Sequence, residues 1–445
     1  MNISFRHFLT TIIHYSLTLA IASSFFIIPG IHVGNIPIPQ PFYFFSFLAL
    51  TGIAIKLFRS PSHFYSKQVF FWLKILALLI IFFSINVLFY FAATGSFTVP
   101  YGKDLARVLI LVLLFVAILI NTTFDRSSLP WLVGALFIPL TLAPVILLRN
   151  IDTARTILPL DFFSGYALQA MQYNPSSLGA WLIIPFGLLA PMLLDPSFRR
   201  SLRIVSAIVT TTLMALIWWT NSRGTILAAI FILITTAVIY RKKDISLSII
   251  FRGIGIVAII IIGGFLVLPS QAKTSVFVRF YPQYFQTALQ KDFFVPIQQI
   301  TPKIFISPPN ITKAQDRQTL WPEYMRFVAT HPLGEFGPAL PFEKKGFVYE
   351  GAEHNTILQT GAWGGWGALI VFVYFLYEIF KTSALNIIKQ PENARHVAVG
   401  LLMAFIGVLV IALLNSFLQV KTLWFLMAIL AAYSLRDTSE AKSPS

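Results

Sequence analysis

Apolar runs of about 18 to 22 residues recur along nearly the whole chain, and each is long enough to cross about 30 Å of hydrocarbon as a helix. They predict twelve spans, at about 9–29, 40–57, 69–93, 104–122, 129–148, 177–194, 202–220, 223–240, 248–268, 356–380, 396–415 and 417–435. The chain reads as an all-α polytopic membrane protein, a single integral membrane domain over residues 1–445. In the first run Ala20-Ile21-Ala22 has the look of a signal-peptidase site, but apolar residues continue through Ile28, which predicts an uncleaved span.

Two polar intervals break the rhythm. Residues 269–355, before the tenth span, are far more than a connector needs. They mix aromatic positions such as Phe277, Tyr281 and Phe285 with prolines and polar residues, which suits a folded or membrane-hugging cap better than a disordered linker. A shorter interval at 149–176 carries Arg149, Asp152, Arg155 and Asp161.

Composition agrees with the pattern: 57% of the 445 residues are hydrophobic and 11% charged, unlike a soluble domain. The net charge of +16 changes the picture only through its placement. Lys and Arg fall in alternate short loops: Arg6, then Arg59 and Lys67, Arg199 and Arg200, Arg241-Lys242-Lys243, Lys381, Lys389 and Arg395, and Arg436. This bias puts both termini in the cytoplasm and the 269–355 segment on the opposite face, and it accounts for the charge without nucleic acid as a partner. With no cysteine, neither a disulfide nor a thiolate metal site is available.

Candidate chemistry gathers on the face opposite the basic loops. His354, in Glu353-His354-Asn355-Thr356, stands where the long polar segment runs into the tenth span, and a histidine takes and gives protons near neutral pH. Arg223, in Asn221-Ser222-Arg223-Gly224, lies between two spans with almost no loop, so it is expected to face protein or a cavity at membrane depth. The ordinary alternative is an arginine reaching the headgroups. Arg317 precedes Trp321 by four residues, one helical turn, with a helix start at Pro322 as the other reading. Arg107 and Lys103, near Asp104, are weaker candidates. His331, in a turn-rich His331-Pro332-Leu333-Gly334 segment, is expected to pack or hydrogen-bond rather than react. Gly361, Gly364, Gly365 and Gly367 suit close helix contact. No phosphate-binding loop, dinucleotide fingerprint or metal-ligand spacing is present, so neither cofactor nor metal is expected. Arginines, one well-placed histidine and few carboxylates suit binding a diphosphate and activating a hydroxyl.

Taken together, Asn221-Ser222-Arg223-Gly224 opening a span, Arg317 before Trp321, the His331-to-Pro338 turn and His354-Asn355 before a glycine-rich span resemble the O-antigen ligase and Wzy-type polymerase superfamily. The resemblance covers most of the chain from about Asn174 onward. Eight residues separate His354-Asn355 from Gly364-x-x-Gly367, where the ligase pattern has nine, and Pro322 after Trp321 also departs from it. The resemblance implies a GT-C-like, metal-independent inverting glycosyltransferase at the periplasmic face of a bacterial inner membrane. Its donor would be a glycan on undecaprenyl diphosphate, and its acceptor lipid A-core. A second lipid-linked glycan is the acceptor in the polymerase alternative, and protein in a third. Carried over, Arg223 and Arg317 would hold the diphosphate and His354 would activate the acceptor hydroxyl, with Asn355, Glu353 and Trp321 in support. A flippase is the reading from another class; the scarcity of charge in the inner halves of the spans and the lack of a twofold repeat argue against it.

Overall fold

The computed structural model describes residues 3–25, 31–33, 36–38, 40–59, 67–94, 99–125, 127–141, 175–195, 197–220, 222–240, 247–268, 317–334, 355–390, 392–415, 418 and 420–434. Its helices are α1 (Ile3–Ser24), α2 (Pro41–Arg59), α3 (Lys67–Thr94), α4 (Val99–Phe124), α5 (Ser128–Ala135), α6 (Pro175–Leu194), α7 (Arg200–Trp219), α8 (Arg223–Ile239), α9 (Leu247–Leu266), α10 (Arg317–Thr330), α11 (Thr356–Lys389), α12 (Glu392–Leu413) and α13 (Lys421–Ser434). The described parts of the apolar runs are mostly helical, because a helix satisfies its backbone internally where lipid offers no hydrogen bonds. Prolines open α2 and α6, at the position where a missing N–H costs nothing.

Several boundaries correct the sequence reading. A small antiparallel ladder follows α1, β1 (Ile31–Val33) with β2 (Ile36–Ile38), pairing Ile31 with Ile38 and Val33 with Ile36. The fifth run breaks after α5, where Leu136 and Phe137 form a turn. The tenth runs on to Lys389 as one long helix with a kink. Pro322 does not start a helix: α10 begins at Arg317 and carries the proline inside. Most of the 269–355 segment, and Asn221, lie outside the described residues.

Two helices are enclosed by the others. α13 is buried from Thr422 to Tyr433, and α6 from Leu178 to Pro191, as expected for helices apolar all round. α6 packs against α7, α8 and α12, while α13 packs against α4, α5, α11 and α12. Close approach of α6 to α12 needs glycine: a Cβ on Gly187 would lie 2.5 Å from the Ala404 amide nitrogen. The outer surface is also apolar. Phe58 is 91% exposed, and Ile259 and Ile370 project from their helices in the same way. Hydrocarbon around the bundle gives such side chains a place that water does not. Six of the described helices are long and apolar enough to cross a membrane, and the protein is a multi-pass helical membrane protein.

At one end of the bundle His396 of α12 ties three elements together. Its Nδ1 lies 3.0 Å from Asp195 Oδ2, just beyond α6, and 3.1 Å from the hydroxyl of Tyr240, which caps α8. Phe198 packs against the same ring at 4.3 Å, and Asp195 Oδ1 accepts from the Ser197 amide. Asp195 lies far from His396 in the chain, so the pairing exists only in the fold. Asp195→Asn is expected to destabilise the protein by about 1–3 kcal/mol, read as an earlier thermal transition in detergent, because His396 loses its charged acceptor in a buried place.

Candidate functional site

The opposite end, marked by Asn355, is where the singled-out elements converge. Asn355 is the N-cap of α11, in extended conformation, and its Oδ1 accepts from the Ile357 and Leu358 amides at 2.9 and 3.1 Å. The oxygen thus serves the helix, which leaves the Nδ2 for any supporting part. Asn355→Ala is expected to cost about 1 kcal/mol in thermal unfolding and Asn355→Ser to recover most of it, because serine also caps. His354 and Glu353 lie outside the described residues.

The first turn of α11 is fixed by polar side chains in an apolar surround. Buried Thr356 donates through Oγ1 to the carbonyls of Ala412 and Asn415, at 2.9 and 2.8 Å. Gln359 Oε1 accepts from the Leu418 amide at 3.1 Å, and Trp424 Nε1 donates to the Leu418 carbonyl at 2.7 Å. The turn between α12 and α13 is therefore tied to α11 on one side and α13 on the other.

That turn also touches α8. A Cβ on Gly224 would lie 3.0 Å from Leu414 Cδ1, so the residue beside Arg223 is pressed against the turn that holds Thr356. Arg223 itself is the first residue of α8, with Ser222 as its N-cap. Ser222 makes no capping bond with its side chain; its hydroxyl accepts from Thr225 Oγ1 at 2.9 Å. The Arg223 side chain is exposed, at the α7–α8 junction at the bundle's end. A guanidinium beside the free N–H groups of a helix start attracts anions.

α10 brings the third element. Val328 packs on Gly361, and Trp366 Nε1 donates to the Val328 carbonyl at 2.7 Å, while the Pro332 carbonyl accepts from the Trp366 amide at 2.9 Å. Moving from 332 back to 328 follows α11 from 366 back to 361, so the two helices run the same way. From Val328 to Trp321 is about 10 Å of helix, and from Gly361 to Asn355 about 9 Å. Trp321 and Arg317 are carried toward the start of α11, one turn apart on α10 as their spacing predicts. Trp321 is half-buried, and its Nε1 has no hydrogen-bond partner among the described residues.

The docking of α10 depends on a break in α11. Gly365 has φ 71° and ψ −166°, which stops the helical hydrogen bonding there. The freed Trp366 amide goes to the Pro332 carbonyl, and the Trp363 carbonyl accepts from Asn86 Nδ2 of α3 at 2.9 Å. Asn86 Nδ2 also donates to the Leu333 carbonyl. His331 stacks on Phe327 at 4.3 Å, and its Nδ1 lies 3.0 Å from the Phe327 carbonyl, a packing role as expected. The glycines do form contact faces, Gly364 against Phe83, Gly367 against Phe82 and Gly361 against Val328.

A cavity that sequence reading missed lies at the same end, between α1, α2, α4, α6 and α13. It contains Arg107, a weaker candidate above, and Lys421, which drew no attention because it starts an apolar run. Lys103, Asp104 and the Arg317 side chain lie outside what is described, although their backbone is helical.

In sum, the Asn355 end assembles a helix start bearing an arginine, a second helix capped by the residue after His354, and a third helix with Arg317 and Trp321. The chain matches no protein-family model and no curated protein.

Proposed function

We propose that this protein is a metal-independent inverting glycosyltransferase of a bacterial inner membrane, moving a glycan from undecaprenyl diphosphate to lipid A-core as an O-antigen ligase does. Twelve GT-C-like spans with both termini in the cytoplasm put the Asn355 end, and the 269–355 segment, on the periplasmic face. The observation that carries the reading is the shared turn after α12: it meets Gly224 beside Arg223 and accepts the hydroxyl of Thr356, two residues after His354. An anion-binding arginine and the neighbourhood of a proton acceptor thus belong to one rigid junction, which is what transfer from a diphosphate requires.

In this mechanism Arg223 and Arg317 hold the diphosphate through charge-assisted, often bidentate contacts, aided by the first amides of α8. His354 takes the proton of the acceptor hydroxyl as its oxygen attacks the anomeric carbon. The bond from that carbon to the diphosphate oxygen breaks, undecaprenyl diphosphate leaves with the electron pair, and a single displacement inverts the centre. Fixed cations stabilise the charge that develops on the leaving group. Glu353 favours the protonated form of His354, and the Asn355 Nδ2 and Trp321 support the acceptor side.

Complementation of a ligase-deficient and, in parallel, a polymerase-deficient bacterial strain tests the proposal, with lipopolysaccharide banding as the readout. Full ladders restored only in the ligase-deficient strain are expected. Ladders restored only in the polymerase-deficient strain would assign polymerisation, with a second lipid-linked glycan as acceptor, and restoration of neither rejects both.

A further inference from the structure

The cavity that holds Arg107 and Lys421 has a volume of about 280 Å³ and stands apart from Arg223, in the half of the bundle built by α1, α2, α4 and α13. We infer that it is a binding site for a phosphate group, held by Arg107 of α4 and Lys421 of α13. The inference does not depend on the proposed function.

Four observations carry it. Two cationic side chains, Arg107 and Lys421, line one small cavity, a lining that suits an anion. Lys421 is the first residue of α13, where helix amides are left without partners inside the helix. Its ammonium is held 3.9 Å from the ring centroid of Phe42 and 5.3 Å from that of Tyr43, which fixes it at the cavity wall. Finally, Thr422 and Trp181 also line the cavity; each is only 1% exposed, yet Thr422 Oγ1 and Trp181 Nε1 have no hydrogen-bond partner among the described residues.

Buried donors are almost always satisfied, so orphans grouped around a basic cavity ask for a ligand made of acceptors. Indole N–H, guanidinium and ammonium can only donate, and a hydroxyl can donate. A phosphate group is acceptor-rich and carries the charge that two cations neutralise, and a planar guanidinium matches its oxygens bidentately. The cavity has room for a phosphate and part of what it is attached to. Two sources share this chemistry: the phosphate of a membrane lipid headgroup, and a water-borne phosphate.

The full-length protein, purified in maltoside micelles, would be titrated with inorganic phosphate by calorimetry. Retention of phosphatidic acid would be measured in parallel by native mass spectrometry. Saturable binding of at least one probe is expected, weakened about tenfold or more in Arg107→Gln and in Lys421→Met and kept in Lys421→Arg. Arg223→Ala is expected to leave it intact, which separates this site from the proposed donor site. Binding of inorganic phosphate alone assigns a water-borne ligand, and binding of phosphatidic acid alone a lipid headgroup. Arg107 is exposed, so Arg107→Gln decides the matter if Lys421→Met fails to fold. No binding of either probe to the wild type, or binding indifferent to Arg107→Gln, overturns the inference.

Discussion

His354→Ala is expected to slow the proposed glycan transfer by about 10²–10⁴-fold while leaving the protein folded, because it removes the proposed proton acceptor. The structural reason to expect folding is that the cap of α11 is Asn355 and the anchor of its first turn is Thr356. Transfer measured on a lipid-linked donor should fall in kcat more than in KM, since in the proposed mechanism the group acts in the reaction and the arginines bind. A fully active His354→Ala protein would remove the mechanism whichever acceptor is used.

Gly365→Ala is expected to be the most destabilising single-methyl change in α11. The residue has φ 71° with ψ near 180°, a combination that only glycine adopts without strain, so the backbone term alone is about 1–3 kcal/mol. The added Cβ would also overlap the Pro332 carbonyl oxygen, the partner of the Trp366 amide, and crowd Leu333. Relief of either problem requires the 331–334 turn to lift from α11. The Asn86 bonds to Leu333 and Trp363 would then be broken as well. α10 would lose its anchor and with it the placement of Arg317 and Trp321. Thermal unfolding in detergent should show a large loss of stability, and limited proteolysis should cut near residue 331 in the variant first. Ala362→Gly, on the same helix and buried, provides the comparison: it adds no clash, and its effect should stay near the usual cost of glycine in a helix, about 1 kcal/mol. Equal stability of Gly365→Ala and wild type would mean that the kink does not hold α10.

Both predictions start from motifs visible in the chain, but to different extents. His354 is singled out by its place between a polar segment and an apolar run, and Arg223 by a charge where two runs almost touch. Gly365 is visible only as one glycine among four. Its neighbours Gly364 and Gly367 do what the sequence suggests, admitting Phe83 and Phe82, whereas Gly365 breaks the helix to receive a turn from another part of the chain. Likewise Thr422 and Trp181 read as ordinary members of apolar helices, and their orphan donors emerge only where α6 and α13 meet a common cavity.

What the sequence determined by itself is local and solvent-driven. Long apolar runs must be helices in hydrocarbon, because no other single segment satisfies its own backbone there, and so a multi-pass helical membrane protein was legible from hydrophobicity alone. The tertiary structure decided which helix ends meet. Hydrophobicity is non-directional and cannot say that the turn after α12 receives both Gly224 and Thr356, that Asp195 finds His396, or that Arg107 shares a cavity with Lys421. Those pairings follow from shape and from directional hydrogen bonds between residues far apart in the chain, and they exist only once the helices have packed.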